Sequence, residues 1–295
     1  MKKIFAACFL AMAFLINAQT TANRFFYELT YKPGKESDSI HKTMTILDVV
    51  KDKSIYQDYL MVSQDSLLKA EVEQMMKSGA FKDLSKTIKQ PKFAYKVTKT
   101  YPNMEVTYTE NILQDKVSYQ EQLKLDWKVN PEKAQIGEYK AQKATTSFGG
   151  REWTAWFSTD IPFQDGPYKF HGLPGLIVKV EDSEKHYSWE LKGNKKEANY
   201  EEESYSEKMM KQFYGSKGNA LNVSRERFEQ LYENYKKDPF GSIRSQIAQI
   251  PAEAKMPDGT SMAQLLKDQE AKLKQYLNEN NNPVERTSPK GKGKK

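Results

Sequence analysis

Between Arg151 and His171 the chain gathers a guanidinium, two carboxylates, a phenol, an ammonium and an imidazole: Arg151, Asp160, Asp165, Tyr168, Lys169 and His171, beside the indoles of Trp153 and Trp156. An aromatic floor with a few convergent polar groups is what a pocket for a small ligand requires. Two carboxylates in different surroundings can also divide acid and base roles, with an imidazole carrying the proton. All eight residues form a candidate binding set, and Asp160, Asp165 and His171 are the subset a hydrolase would use. The structural alternative is that Arg151 simply pairs with Asp160 and the segment is a folding device. The reading leans away from an enzyme and assigns no catalytic residue. His41, His171 and His186 are far apart in sequence, and no H-x-x-x-H, G-x-S-x-G, P-loop or dinucleotide fingerprint occurs, so no metal and no cofactor is expected.

The elements around this set read as strands. Trp153, Ala155 and Phe157 alternate with Thr154, Trp156 and Ser158, and Leu176, Val178 and Val180 alternate with Ile177 and Lys179. Alternation of period two puts successive side chains on opposite faces of a sheet. Between these runs lie 17 residues, Thr159 to Gly175. Ile161, Phe163, Tyr168, Phe170 and Leu173 are too apolar to leave in water, which predicts an ordered Ω-like lid across one end of the sheet. Gly166, Pro167, Gly172, Pro174 and Gly175 are the turn residues. Pro174-Gly175 fits the centre of a type II turn, and Asp165 ahead of Gly166-Pro167 can bond the backbone in front of it.

The same alternation covers Phe25 to Tyr31, Phe93 to Val97 and Met104 to Tyr108, and continues through Leu123, Leu125, Trp127 and Val129. Short polar breaks such as Tyr101-Pro102-Asn103, Gln114-Asp115 and Asp182 to Lys185 suit hairpins, so the expectation is an α+β chain built on a curved antiparallel β-meander of roughly eight to ten strands, a possible half-barrel. One helix interrupts it over 64–78, with Leu67, Leu68, Val72, Met75 and Met76 on one face, Ser63, Asp65 or Ser66 as cap and Gly79 as stop; that face is expected to pack on the core. Helical periods follow the sheet: Phe228, Leu231, Tyr232 and Tyr235 behind a Ser224 cap, Ile243, Ile247 and Ile250 before Pro251, and a last helix from Ser261 with Gln264 three residues on. The expected division is a signal peptide over 1–18, a sheet domain over 19–192, a helical region over 193–280 and a disordered basic tail over 281–295.

The run Phe170-His171-Gly172-Leu173-Pro174-Gly175-Leu176-Ile177, with Asp160 ahead of it, resembles the defining motif of the GLPGLI family. Asn282-Pro283-Val284-Glu285 is similar to the Asn-Pro-Ile-Glu ending that many members share. The resemblance is strongest over Asp160 to Ile177 and vague from Lys195 to Asn280. It implies a secreted bacterial envelope protein and names no reaction.

Met1 to Ala18 agrees with export: Lys2 and Lys3 precede an apolar run, and cleavage is expected near Ala18. Cys8, the only cysteine, lies inside that run, which removes disulfides and thiolate chemistry from the mature chain. The formal charge is +7, yet Lys2, Lys3 and a tail with five basic residues against Glu285 alone carry most of it, leaving the body near +1. No nucleic-acid partner and no transmembrane span in the mature chain are therefore expected. The function expected is a non-catalytic periplasmic or extracellular protein that binds a small molecule, lipid, peptide or envelope protein through the lid end of the sheet; the alternatives are an envelope hydrolase and a carrier of hydrophobic cargo.

Overall fold

The computed structural model describes residues 20–286 apart from 81, 83, 85, 86, 90, 114, 216–218, 257 and 258. The expected signal peptide with Cys8, the turn residue Gln114 and the tail from residue 287 lie outside the described residues.

Twelve strands form one open sheet: β1 (Ala22–Tyr31), β2 (His41–Val49), β3 (Lys53–Asp58), β4 (Lys96–Thr100), β5 (Glu105–Ile112), β6 (Asp115–Gln122), β7 (Lys128–Ile136), β8 (Tyr139–Phe148), β9 (Arg151–Ser158), β10 (Leu176–Asp182), β11 (Tyr187–Glu197) and β12 (Leu221–Val223). The order β12-β6-β5-β4-β3-β2-β1-β11-β10-β9-β8-β7 is two antiparallel meanders joined where β1 pairs with β11. β12 adds to β6 in parallel, so the sheet is mixed. It has more strands than the meander expected from sequence, because the alternation is broken by charged residues in β7 and β8 and is too short to register in β12.

Register follows the alternation. Tyr27 lies opposite Thr45 on one side and Leu191 on the other, and Tyr56 lies opposite Leu47 and Val97. This shared parity builds an inner face of Phe25, Tyr27, Leu29, Tyr56, Val97, Trp153 and Trp189, all buried. Each such side chain contributes roughly 1.5–3 kcal/mol by leaving water. The opposite, outer face is largely polar over β3 to β5, where Lys96, Thr98 and Thr107 are only partly covered.

Among the described residues, six α-helices attach to this frame: α1 (Leu60–Ser63), α2 (Asp65–Ser78), α3 (Tyr205–Tyr214), α4 (Arg225–Lys237), α5 (Arg244–Ile247) and α6 (Met262–Glu279). α2 matches the expected span and stops at Gly79, whose φ of 67° suits a left-handed cap. Its apolar face, however, is not in the core: no residue of α2 is buried, and Met76 is 73% exposed. The helix sits on the outer side against α3, where the sheet offers polar rather than apolar surface. Asp65 is not its cap; the carboxylate accepts the Tyr205 amide at 2.7 Å and ties α2 to α3. α4 lies on the inner side, where Phe228 packs on Tyr108 and Tyr119. Ser224 and Ser261 cap α4 and α6 as expected.

Four expectations are corrected. Leu123 to Trp127 is a connection and not a strand. β11 runs to Glu197, past the expected boundary at residue 192, because Arg24 and Lys195 hold the Glu197 carboxylate at the end of the ladder. The Ile243, Ile247 and Ile250 period yields only the short turn Gly241–Ile243 and one turn of α5. Finally, Asn281 to Arg286, assigned by composition to the tail, is pinned to the sheet, with Asn282 and Val284 buried.

Candidate functional site

The 17-residue loop between β9 and β10 folds back as expected: Tyr168, Phe170 and Leu173 are buried, and Phe170 packs on Trp153 at 4.8 Å between ring centroids and on Trp189 at 6.0 Å. It fills the inner face rather than capping its rim, since its partners come from β3, β4, β6 and β11 as well as β9. Turn chemistry sets the path, with one correction. Leu173 to Leu176 is not a type II turn: the Gly175 amide bonds to Leu173 O at 2.8 Å, and Gly175 lacks a positive φ. Glycine is needed there for approach, because a Cβ would stand 2.2 Å from Ser158 O. Positive φ falls on Gly172 (91°) and Tyr168 (53°) instead. Asp165 does bond ahead, accepting the Gly166 amide at 2.7 Å.

The two buried loop ions, Asp165 and Lys169, each have a partner that the sheet supplies. Asp165 pairs with Lys99 of β4 at 2.5 Å and accepts the Tyr101 hydroxyl at 2.6 Å. The Lys99 ammonium also donates to the carbonyls of Gly166 and Tyr168 at 2.6 and 3.1 Å, so one buried side chain fixes the backbone of the loop. Burial pushes the Lys99 ammonium below its ordinary value while Asp165 opposes that shift. Lys169 is fully buried, donates to Tyr119 and Glu121 of β6 at 2.7 and 2.6 Å, and pairs with Glu285 at 2.6 Å. The Tyr108, Tyr119 and Tyr168 rings lie around it at 4.9–5.6 Å, close enough for cation–π attraction.

The eight sequence candidates therefore separate. Asp165, Tyr168, Lys169 and His171 lie inside the molecule; Asp160 is exposed at the start of the loop, away from Arg151. Arg151 pairs instead with Asp182 at 2.8 Å, its neighbour on β10, because Trp153 and Asp182 share a register position and Arg151 projects on the same face. Trp153 and Trp156 cannot form one floor: three residues apart on a strand, they point to opposite faces, and Trp156 meets Lys143 on the outer side. The His171 ring nitrogens face the carbonyls of Lys169 (2.8 Å) and Leu123 (3.2 Å). Burial, then the nearby Lys99 charge, holds that imidazole below its ordinary pKa.

Sequence reasoning missed the partners of these residues: Lys99, Tyr101, Tyr119, Glu121, Asp182 and Glu285. A signal existed for two of them. Lys99 follows Tyr95 and Val97, and Glu121 follows Val117 and Tyr119, so each carries a charge in the inward register of its strand.

Asp182, Glu184 and His186 bring one ligand atom each within 4.8 Å of one another. Arg151 already holds the Asp182 carboxylate and Arg286 that of Glu184 at 2.5 Å, so their charge is neutralised by guanidiniums.

Among the described residues the surface includes hollows open to solvent. A shallow one of about 470 Å³ touches the loop only through Phe163. The larger, about 610 Å³, lies on the outer face between α1, α2, α3 and the strands. Leu60, Met61, Leu68 and Ile88 line one wall and Lys96, Lys116 and Glu207 the other. Burial opposes ionisation of Glu207, yet Lys96 at 2.9 Å and Lys116 at 2.8 Å hold its carboxyl at about 2. On the inner side half-buried Glu110 accepts the Tyr108 hydroxyl at 2.8 Å, and its removal from water pushes the carboxyl up to about 7.

A family model described as a protein of unknown function (Porph_ging) matches residues 150–179, the end of the β8–β9 turn through most of β10. Among solved structures the chain is similar to PNGF-II in the C2 space group, with a TM-score of 0.49 and 14% identity over 74% of this chain and 33% of that one. For PNGF-II in the P21 space group the TM-score is 0.45, again at 14% identity, over 72% and 33%. The chain spans about a third of the PNGF-II chains. No curated protein matches. No helix among the described residues is long and apolar enough to cross a membrane.

Proposed function

We propose that this chain is an exported, non-catalytic binding protein of the GLPGLI type, whose sheet wraps as a half-barrel around its own signature loop and whose ligand lies on the opposite face. The ligand class is amphipathic, a lipid-like molecule or a short apolar peptide with a charged end. The observation that carries this reading is the lining of the outer cleft, where an apolar wall from α1 and α2 faces a wall of lysines and glutamates. A body of about 610 Å³ is of the size that holds a small organic ligand.

The signature loop supports a scaffold role, because Asp165, Lys169 and His171 have their polar atoms bonded within the molecule. A hydrolase would need a carboxylate and an imidazole free to reach a substrate together. Asp160 is exposed and Asp165 is enclosed by Lys99 and Tyr101, so the pair required by that alternative is split.

Native mass spectrometry of the chain purified from its own envelope tests the proposal against an Ala94→Trp variant, which fills the cleft from the edge of the sheet. An adduct carried by the wild type and lost from an equally stable variant is the expected result. An adduct retained by the variant, or a wild type whose melting temperature no lipid or peptide raises, would overturn it.

A further inference from the structure

Asn282 to Glu285 belongs to no strand, yet side chains from several distant stretches of the chain read it residue by residue. We propose that the inner face carries a binding site for an Asn-Pro-apolar-Glu peptide, which this chain fills with its own residues 282–285. This site is separate from the outer cleft and does not depend on it.

Asn282 uses all its hydrogen-bonding groups. Its side-chain oxygen accepts from Arg151 at 2.7 Å, its side-chain amide donates to Lys32 O at 2.7 Å, its backbone amide donates to Pro33 O at 3.0 Å and its carbonyl accepts the Tyr187 hydroxyl at 2.5 Å. Aspartate at this position would lose the side-chain donor, and alanine would take one acceptor from Arg151 and the side-chain donor from Lys32 O. Pro283 has no amide hydrogen to satisfy, and its carbonyl accepts from Arg151 at 2.9 Å. Val284 is buried, and its carbonyl accepts Arg151 Nε at 3.0 Å.

Glu285 meets three donors: the Tyr168 hydroxyl at 2.7 Å, Lys169 at 2.6 Å and Arg225 at 2.6 Å. Although burial opposes ionisation, Lys169 and Arg225 hold its carboxyl below the ordinary range. The β8–β9 turn also approaches the segment closely. A Cβ on Gly149 would stand 2.9 Å from Glu285 Cγ and 3.0 Å from its Cα, and one on Gly150 would stand 3.2 Å from Arg286 Cβ. Main-chain bonds combined with side-chain readers are how folded domains recognise short peptides. A segment that merely covered apolar surface would not need them.

Three candidates from the signature segment, Arg151, Tyr168 and Lys169, thus find their use in holding this peptide. The tether is α6, in which Leu277 is the buried residue, so the helix itself grips the body weakly. Covalent attachment then keeps the occupant at a high local concentration.

The test uses the full chain with its occupant weakened, Asn282→Ala and Glu285→Ala together, and a fluorescein-labelled peptide Asn-Asn-Pro-Val-Glu-Arg. Saturable binding to the variant, with at least tenfold weaker binding both to the wild-type chain and by a peptide carrying the same two alanines, is expected. Equal binding of the two peptides to the variant, or none to a variant that remains folded, would refute the site. Should the double variant unfold, the single Asn282→Ala chain is melted with each unlabelled peptide: a higher melting temperature with the native peptide alone supports the proposal, and no difference rejects it.

Discussion

Two long interruptions of the sheet end in opposite states. The insert between β3 and β4 forms a well-bounded helix, α2, with no buried residue, whereas the loop between β9 and β10 has no regular structure and supplies Tyr168, Phe170 and Leu173 to the core. The difference lies in what each meets. The loop falls on an aromatic inner face with Lys99 and Tyr101 placed to hold Asp165, while α2 falls on the polar outer face of the same strands. Helical periodicity is therefore no guarantee of a core position, and irregular backbone is compatible with deep burial when the sheet supplies its partners.

This contrast can be broken by mutation. Lys99→Met removes the ammonium that holds Asp165 and the loop carbonyls, leaving a buried carboxylate without its cation; a loss of about 3–5 kcal/mol is expected in denaturant unfolding. A loss below about 1 kcal/mol would mean that the loop is not locked from β4. Gly175→Ala forces a methyl group against Ser158 O and is expected to cost about 1–3 kcal/mol. On the outer face, Glu207 ties α3 to β4 and β6 through Lys96 and Lys116. Its folded pKa of about 2 lies below its ordinary 4.5, so its contribution is full above pH 4.5 and disappears as pH falls towards 2. Glu207→Gln should cost about 1–3 kcal/mol at pH 7 and nothing at pH 2, as thermal melts at the two pH values would show. The smallest effect belongs to α2: Met76→Ala should change stability by no more than about 0.5 kcal/mol. A larger loss would move α2 from cleft wall to core.

The Glu110 carboxyl gives the opposite sign on the inner side. Its folded pKa of about 7 exceeds the ordinary 4.5, so stability falls as pH rises between those values, and Glu110→Gln should remove that slope. Melting curves at pH 4 and pH 8 measure it, with roughly 1–3 kcal/mol gained at pH 8.

Part of the candidate site was legible along the chain. The apolar content of Ile161 to Leu173 predicted a packed loop, and Asp165 before Gly166 predicted a side-chain bond to the backbone; both are present. The turn at Pro174-Gly175 was located correctly but given the wrong cause, because close approach to Ser158 is a contact between β9 and the loop that no local pattern contains. The ion pair expected between Arg151 and Asp160 failed for a similar reason: the two are near in sequence, but Asp182 is nearer across the sheet. α3 was missed although Ser204 and Glu207 form a capping box, since the polar run before it masked the helical period.

Composition and periodicity alone determined that the chain builds a large, mainly antiparallel sheet, that Ser224 and Ser261 open helices, and that the loop before Leu176 cannot lie in water. They suffice because alternation and capping are properties of covalent geometry within a few residues. Only the tertiary structure decided that α2 lies outside, that Lys99 and Lys169 hold the loop, and that Asn282 to Glu285 returns to Arg151. Those outcomes depend on which distant stretches become neighbours, and pairing across 48 to 131 residues leaves no periodic trace in either partner.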